Sequence, residues 1–282
     1  MHYGVTFFPT EYAISPAALA RAAEERGMES LWVSEHSYIP ACRTTPWPGG
    51  ADMPQMYYDL LDPFIALASA AAVTSKIQLG TGVCLLPQRD PIQTAKAIAS
   101  LDVLSNGRFL FGIGGGWNIE EMCSLGTDPT TRWKRMRESV EAMKAMWTVD
   151  KAEYHGEFVD FDPLFTQPKP VRKPHPPVHV GGAMPHGLRR AVRYGDGWIP
   201  LQGRGPDSIA SLMPEVNRAL AEAGRDAASF EVSAFGCSPR AEKLTELRDA
   251  GVTRALFFIP SLPEAEVLPL LDDYAKVAGV VG

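Results

Sequence analysis

At 282 residues, 45% apolar and 21% charged, the chain can bury a full hydrophobic core without disulfide or metal staples, which excludes wholesale disorder. A formal net charge of −6 excludes broad, sequence-independent nucleic-acid binding, which needs a basic footprint, but leaves room for a small anionic ligand. Four cysteines without a CxxC pair exclude a disulfide framework and fit a cytoplasmic protein. No basic-then-apolar leader opens the sequence, and its longest apolar stretch, 64–73, is too short to cross a bilayer.

Short β-branched or aromatic runs alternate with longer runs of helical periodicity. In chain order, strands are predicted at 3–8, 30–34, 77–86, 109–113, 178–181, 197–201, 230–235 and 255–259. Helices are predicted at 16–26, 63–74, 91–104, 133–147, 186–194, 206–223, 241–250 and 264–277. Ser15-Pro16, Asp62-Pro63 and Asp90-Pro91 are N-cap residues followed by proline at the first helical position. Gly27, Gly195, Gly224 and Gly251 stand where helices end and the backbone is expected to turn left-handed. Eight strand–helix pairs favour a single closed (β/α)8 TIM barrel over 1–282 rather than an open doubly wound sheet.

Two insertions interrupt the cycle. Residues 37–61, after the second strand, are rich in Pro, Trp, Tyr and Gly. Residues 148–177, before the fifth barrel strand, hold a small hairpin at 154–158. An extended run follows, with Pro168, Pro170, Pro174, Pro176 and Pro177. Aromatic residues in both insertions argue for ordering over a pocket rather than disorder.

In such a barrel the chemistry sits at the carboxyl ends of the strands. His36, after the second strand, can exchange a proton near neutrality, although a satisfied structural histidine is an equal reading. His2, His155, His175, His179 and His186 rank lower, and no pair has metal-ligand spacing on one helix. Gly114-Gly115-Gly116, after the fourth strand, let a flat or anionic ligand approach the backbone. Trp117 breaks the Rossmann pattern there. Gly181-Gly182-Ala183 lead into a helix N-terminus, either a phosphate cradle or a tight turn. Glu11, Glu35, Glu120 and Glu121 raise the alternative of paired carboxylates hydrolysing a glycoside.

These strand ends resemble the luciferase-like monooxygenase superfamily, and within it the branch that uses coenzyme F420, a deazaflavin. The likeness spans nearly the whole chain. It is carried by Leu31-Trp32-Val33-Ser34-Glu35-His36, Leu79-Gly80-Thr81-Gly82-Val83, Leu101-Asp102-Val103-Leu104-Ser105-Asn106-Gly107-Arg108-Phe109, Gly112-Ile113-Gly114-Gly115-Gly116-Trp117, and the segment from Pro177 to Ala183 with Gly195-Asp196-Gly197-Trp198 downstream. The resemblance implies hydride transfer between F420 and a small organic substrate, with His36 handling the proton and Glu35 orienting it or touching the cofactor. It places Thr81, Gly82 and Val83 on one face of the ring, with a non-proline cis peptide at Gly82-Val83. Gly115, Gly116 and Trp117 fall beside the ring, and Gly181, Gly182 and Ala183 at the phosphate. Trp117 departs from the acidic residue that some deazaflavin dehydrogenases carry, which puts a sugar-phosphate substrate in doubt. Asp102 and Arg108 are expected to be structural. The resemblance also implies a homodimer. Two neighbouring readings stay open: an FMN-dependent monooxygenase and a non-catalytic flavin-binding protein. Trp47, Met53, Met56, Tyr57 and Tyr58 in the first insertion point to an apolar or aromatic substrate pocket, or to a subunit interface.

Overall fold

The computed structural model describes residues 1–50, 52–201 and 208–281. In chain order its elements are β1 (His2–Phe7), α1 (Pro16–Glu25), β2 (Ser30–Val33), α2 (Pro63–Ala71), β3 (Gln78–Thr81), α3 (Pro91–Leu104), β4 (Phe109–Ile113), α4 (Ile119–Ser124), α5 (Arg132–Thr148), β5 (Lys151–His155), β6 (Asp160–Phe165), β7 (Val178–Gly181), α6 (His186–Tyr194), β8 (Gly197–Ile199), α7 (Ile209–Glu222), β9 (Glu231–Phe235), α8 (Ala241–Asp249), β10 (Arg254–Ile259) and α9 (Glu264–Val281). Eight strands pair in parallel and close into a barrel in the order β1-β10-β9-β8-β7-β4-β3-β2, while β5 and β6 form a separate antiparallel pair. This is the (β/α)8 TIM barrel expected from the alternation.

Side-chain alternation along each strand builds two apolar layers. Trp32, Leu110, Ile199, Phe235 and Leu256 point into the barrel and pack on one another. Their neighbours Leu31, Val33, Phe109, Phe111, Ala255 and Phe257 point outward and pack under the helices. Trp32 fits inside because β3 has a glycine beside it: a Cβ on Gly80 would lie 2.4 Å from the indole.

The predicted caps form. Ser15 accepts from Ala18 N–H at 3.2 Å, Asp62 from Phe64 N–H at 2.9 Å, and Asp90 from Gln93 N–H at 2.8 Å. Gly27, Gly224 and Gly251 are left-handed. Gly195 is not: its φ is −96°. Glycine is needed there for space, because a Cβ would lie 2.9 Å from Val180 and 3.1 Å from two carbonyl oxygens. The third strand stops at Thr81 rather than running on to 86, since the chain turns at Gly82 and winds into a short 3-10 helix, Leu86–Gln88. The hairpin expected at 154–158 is the end of β5 and its turn, with β6 as the returning strand. The predicted helix start at 206 lies outside the described residues; α7 begins at Ile209. Arg108 bonds to Ser105 O, Ile77 O and Thr74 O, and Asp102 accepts Arg172 N–H at 2.9 Å. Both residues tie elements together at the amino end of the barrel.

Candidate active site

The carboxyl ends of the strands surround a cavity of about 440 Å3. Its walls are largely apolar and include Phe8, Trp47, Tyr57, Trp117, Trp133 and Phe235. Of the predicted site residues, Glu35, His36, Gly82, Val83, Gly115, Gly116, Trp117, Gly181, Gly182 and Ala183 all line it. Thr81 does not. It is fully buried and its hydroxyl donates to Gly112 O at 2.7 Å, so it braces β3 against β4 rather than facing a ligand.

His36 is buried at the cavity wall, and both ring nitrogens are engaged. Nδ1 lies 2.8 Å from Oε2 of Glu121, and the indole N–H of Trp117 donates to Nε2 at 3.1 Å. An indole nitrogen only donates, so Nε2 is the acceptor and the ring proton sits on Nδ1, pointing at Glu121. Glu121 is wholly buried, and its other oxygen accepts Ser37 N–H at 3.1 Å.

The carboxylate that orients His36 is therefore Glu121 and not the adjacent Glu35. Glu35 turns the other way, accepting Leu85 N–H at 2.6 Å and Arg89 Nε–H at 2.6 Å. Arg89 reaches on to Asp62 at 3.0 Å. Its positive charge is stabilised above the ordinary guanidinium value by the carboxylates beside it, despite burial. Glu35 thus holds the turn after β3 against the start of α2.

Helix α4 was not predicted, because six residues are too few to show a helical period. A signal was present: Asn118 caps the helix by accepting Glu121 N–H at 3.2 Å, the Asn-x-x-Glu spacing of a helix start. The glutamate side chain, instead of turning back onto the cap, goes to His36. Glu120, next to it, accepts from Thr44 N–H, Thr44 Oγ–H and Thr45 N–H at 2.8, 2.6 and 3.0 Å. Those donors hold its carboxyl well below the usual carboxylate range. Tyr38 bonds to Ser124 on the same helix. The first insertion is thereby fastened to α4 at three points and ordered over the cavity, which Trp47, Pro48 and Tyr57 help to wall.

The glycoside alternative loses its premise here. Glu11 is exposed outside the cavity wall, and Glu35, Glu120 and Glu121 are held by Arg89, by Thr44 and Thr45, and by His36 respectively. No two of the four face one another across the cavity as a free pair.

The glycines let neighbouring cavity residues pack closely against the backbone. A Cβ on Gly114 would lie 2.5 Å from Val83, and one on Gly115 would lie 2.3 Å from the Trp133 ring. Gly116 and Gly182 have φ of 73° and 142°, backbone that side chains rarely adopt. The Gly82-Val83 peptide is cis. Gly181, Gly182 and Ala183 lead into α6, whose first turn has no side-chain cap. Trp198 holds this turn by donating its indole N–H to Gly182 O at 2.8 Å.

Two arginines that strand-end reading missed lie against Trp133, a cavity residue packed on Gly115. The guanidinium of Arg190 lies 3.5 Å from the ring centre of Trp133, and that of Arg132 lies 5.0 Å from it. Nε of both Arg132 and Arg135 is buried without a hydrogen-bond partner among the described residues. The pKa of Arg190 is lowered, first by burial and further by its neighbour Arg132. Helix α5 opens Arg132-Trp133-Lys134-Arg135 with no acidic residue in its first turn. Cations there oppose the helix dipole, and that local mismatch is the signal the sequence offered. Cations thus crowd around Trp133, itself a cavity residue.

A family model described as luciferase-like monooxygenase matches residues 13–263. An uncharacterized protein of Mycobacterium tuberculosis is 42% identical over 265 residues, 92% of each chain. The F420-dependent glucose-6-phosphate dehydrogenase of Kineococcus radiotolerans is 32% identical over 215 residues, 74% of this chain and 59% of that protein. Among solved structures, the monooxygenase RslO1 from Streptomyces bottropensis superposes with a TM-score of 0.77 at 21% identity, covering 98% of both chains.

Proposed function

The chain belongs to the luciferase-like monooxygenase family, and on that premise we propose that it is an oxidoreductase moving a hydride between coenzyme F420 and a small organic substrate. The observation that carries the reading is His36, buried in the cavity wall with Nδ1 on Glu121 and Nε2 on a cavity residue. The F420-dependent relative supports the choice of cofactor. The deazaflavin supplies the hydride chemistry when bound.

The protein does the rest. Gly181, Gly182 and Ala183, with Arg132 and Arg190 beyond Trp133, hold the phosphate end. Gly82, Val83, Gly114 and Gly115 shape the walls against which a flat ring lies. His36 exchanges a proton at Nε2 with the substrate oxygen, and the buried Glu121 carboxylate stabilises the imidazolium that results. Trp47, Tyr57 and Phe235 exclude water and favour an apolar or aromatic substrate body. Trp117, rather than an acidic side chain, after the glycine run argues against a sugar phosphate.

The test uses His36→Ala with a panel of small aliphatic and aromatic alcohols and ketones. Turnover falls by roughly 100-fold or more, the usual worth of a positioned acid–base group, while F420 affinity changes little. Full turnover in the variant refutes the role.

A further inference from the structure

We propose that Trp117 is a positioning residue that occupies the proton-exchanging nitrogen of His36 and is displaced each time that nitrogen takes a proton. The catalytic consequence rests on the role given to His36 above; the hydrogen-bond logic concerns this chain alone.

Trp117 Nε1 lies 3.1 Å from His36 Nε2. In the neutral ring this is a hydrogen bond, with the indole donating to the lone pair. Protonate Nε2 and two N–H groups face each other at the same distance. Neither can accept, so one ring has to turn away. His36 is the fixed one: it is 8% exposed and clamped on its far side by the fully buried Glu121. Trp117 is half-buried, follows the left-handed Gly116, and carries the Arg43 guanidinium 5.6 Å above its ring.

The groups around His36 let the charged ring exist once Trp117 has moved. Glu121 from α4 supplies a carboxylate at Nδ1. Tyr57 from the first insertion lies 5.7 Å away, ring to ring, and brings no charge of its own to the contact. Glu35, next in the chain, is bound to Arg89, so these two largely cancel. Arg43 lies across Trp117 and not against the imidazole. The added proton is thus supported from the Nδ1 side and opposed, while Trp117 stays in place, from the Nε2 side.

A substrate hydroxyl that passes its proton to Nε2 breaks its O–H bond and keeps the electron pair on oxygen. The Nε2–H bond forms and imidazole becomes imidazolium. To do this the hydroxyl must take the position that the indole N–H holds. Trp117 and an alcohol substrate therefore compete for one lone pair. In the reverse direction the imidazolium N–H, with Trp117 turned out, is the donor that meets a carbonyl oxygen.

The experiment uses the full chain without cofactor and indole-15N-labelled tryptophan. The chain has six tryptophans, so the Trp117 signal is identified by its loss in Trp117→Phe. In the wild type that N–H is protected and shifted at alkaline pH. It moves to a solvent-like position with fast exchange once the pH is low enough for His36 Nε2 to take a proton. In His36→Ala it is solvent-like at every pH. In the loaded enzyme, Trp117→Phe lowers KM for the best alcohol of the panel roughly two- to tenfold, the worth of one neutral hydrogen bond. The same variant moves the His36 limb of kcat/KM to higher pH, because the neutral ring has lost its donor. Glu121→Gln keeps an acceptor at Nδ1 but removes the charge, and moves that limb to lower pH. A Trp117 indole indifferent to pH and to His36→Ala overturns the proposal outright. An indole that follows His36 in an enzyme whose turnover ignores His36 overturns instead the proton role of His36, and the displacement step with it.

Discussion

His179 lies inside the barrel, fully buried, with neither ring nitrogen hydrogen-bonded among the described residues. It meets Trp32 edge-on at 5.5 Å, and its Nε2 is 3.5 Å from the Glu231 carboxylate. Burial pushes its pKa down to about 4, outweighing the attraction of Glu231. In the unfolded chain the same group titrates near 6.5. Between those two values the unfolded chain holds a proton that the folded chain lacks, so stability is complete above about pH 6.5 and is lost as pH falls toward 4. Linkage between the two values removes about 2 kcal/mol from pH 7.5 to pH 5, and about 3 kcal/mol by pH 4. His179→Leu takes away the titrating group and leaves an apolar side chain against Trp32. Urea unfolding of both proteins at pH 7.5 and pH 5 isolates the term, because the carboxylate coupled to His179, Glu231, is still held below the usual carboxylate range by Arg254 despite its burial when His179 is gone. The wild type loses about 2 kcal/mol more than the variant over that interval. Equal losses in both would show that the buried ring is not kept neutral by the fold.

Gly115→Ala places a methyl 2.3 Å from the Trp133 ring. Overpacking of about 1–3 kcal/mol displaces Trp133 and weakens F420 affinity roughly tenfold, read by equilibrium titration, with cooperative unfolding retained. Arg89→Ala strands the Glu35 carboxylate, whose side chain is 2% exposed. Urea unfolding then shows about 3–5 kcal/mol lost, and a loss below about 1 kcal/mol contradicts the buried pair. Glu120→Ala releases Thr44 and Thr45, so limited proteolysis within 37–61 accelerates while the barrel core stays protected; an unchanged cleavage rate refutes the tether.

The bounds of α3, β4, β7 and α6 match the sequence reading residue for residue. The signals there are local: an Asp-Pro cap, an apolar run between polar residues, a glycine at the end. Where one signal has two causes, sequence alone picks wrongly. Gly195 marks close packing and not a left-handed turn. Thr81 ends its strand among cavity residues but bonds into the wall. Glu35 stands beside His36 in the chain, yet Glu121, 85 positions on, is the partner. That choice depends on which way a side chain leaves the backbone, and α4 sets it. Arg132 and Arg190 come from two helices, and nothing local joins them until α5 packs on α6.

We propose that this cavity takes a deazaflavin, with hydride chemistry beside His36. Equilibrium titration of the purified chain with F420 and, separately, with FMN tests it most directly. F420 is expected to bind at roughly micromolar Kd or tighter and FMN at least about tenfold more weakly. Tighter binding of FMN, or no binding of F420, contradicts it.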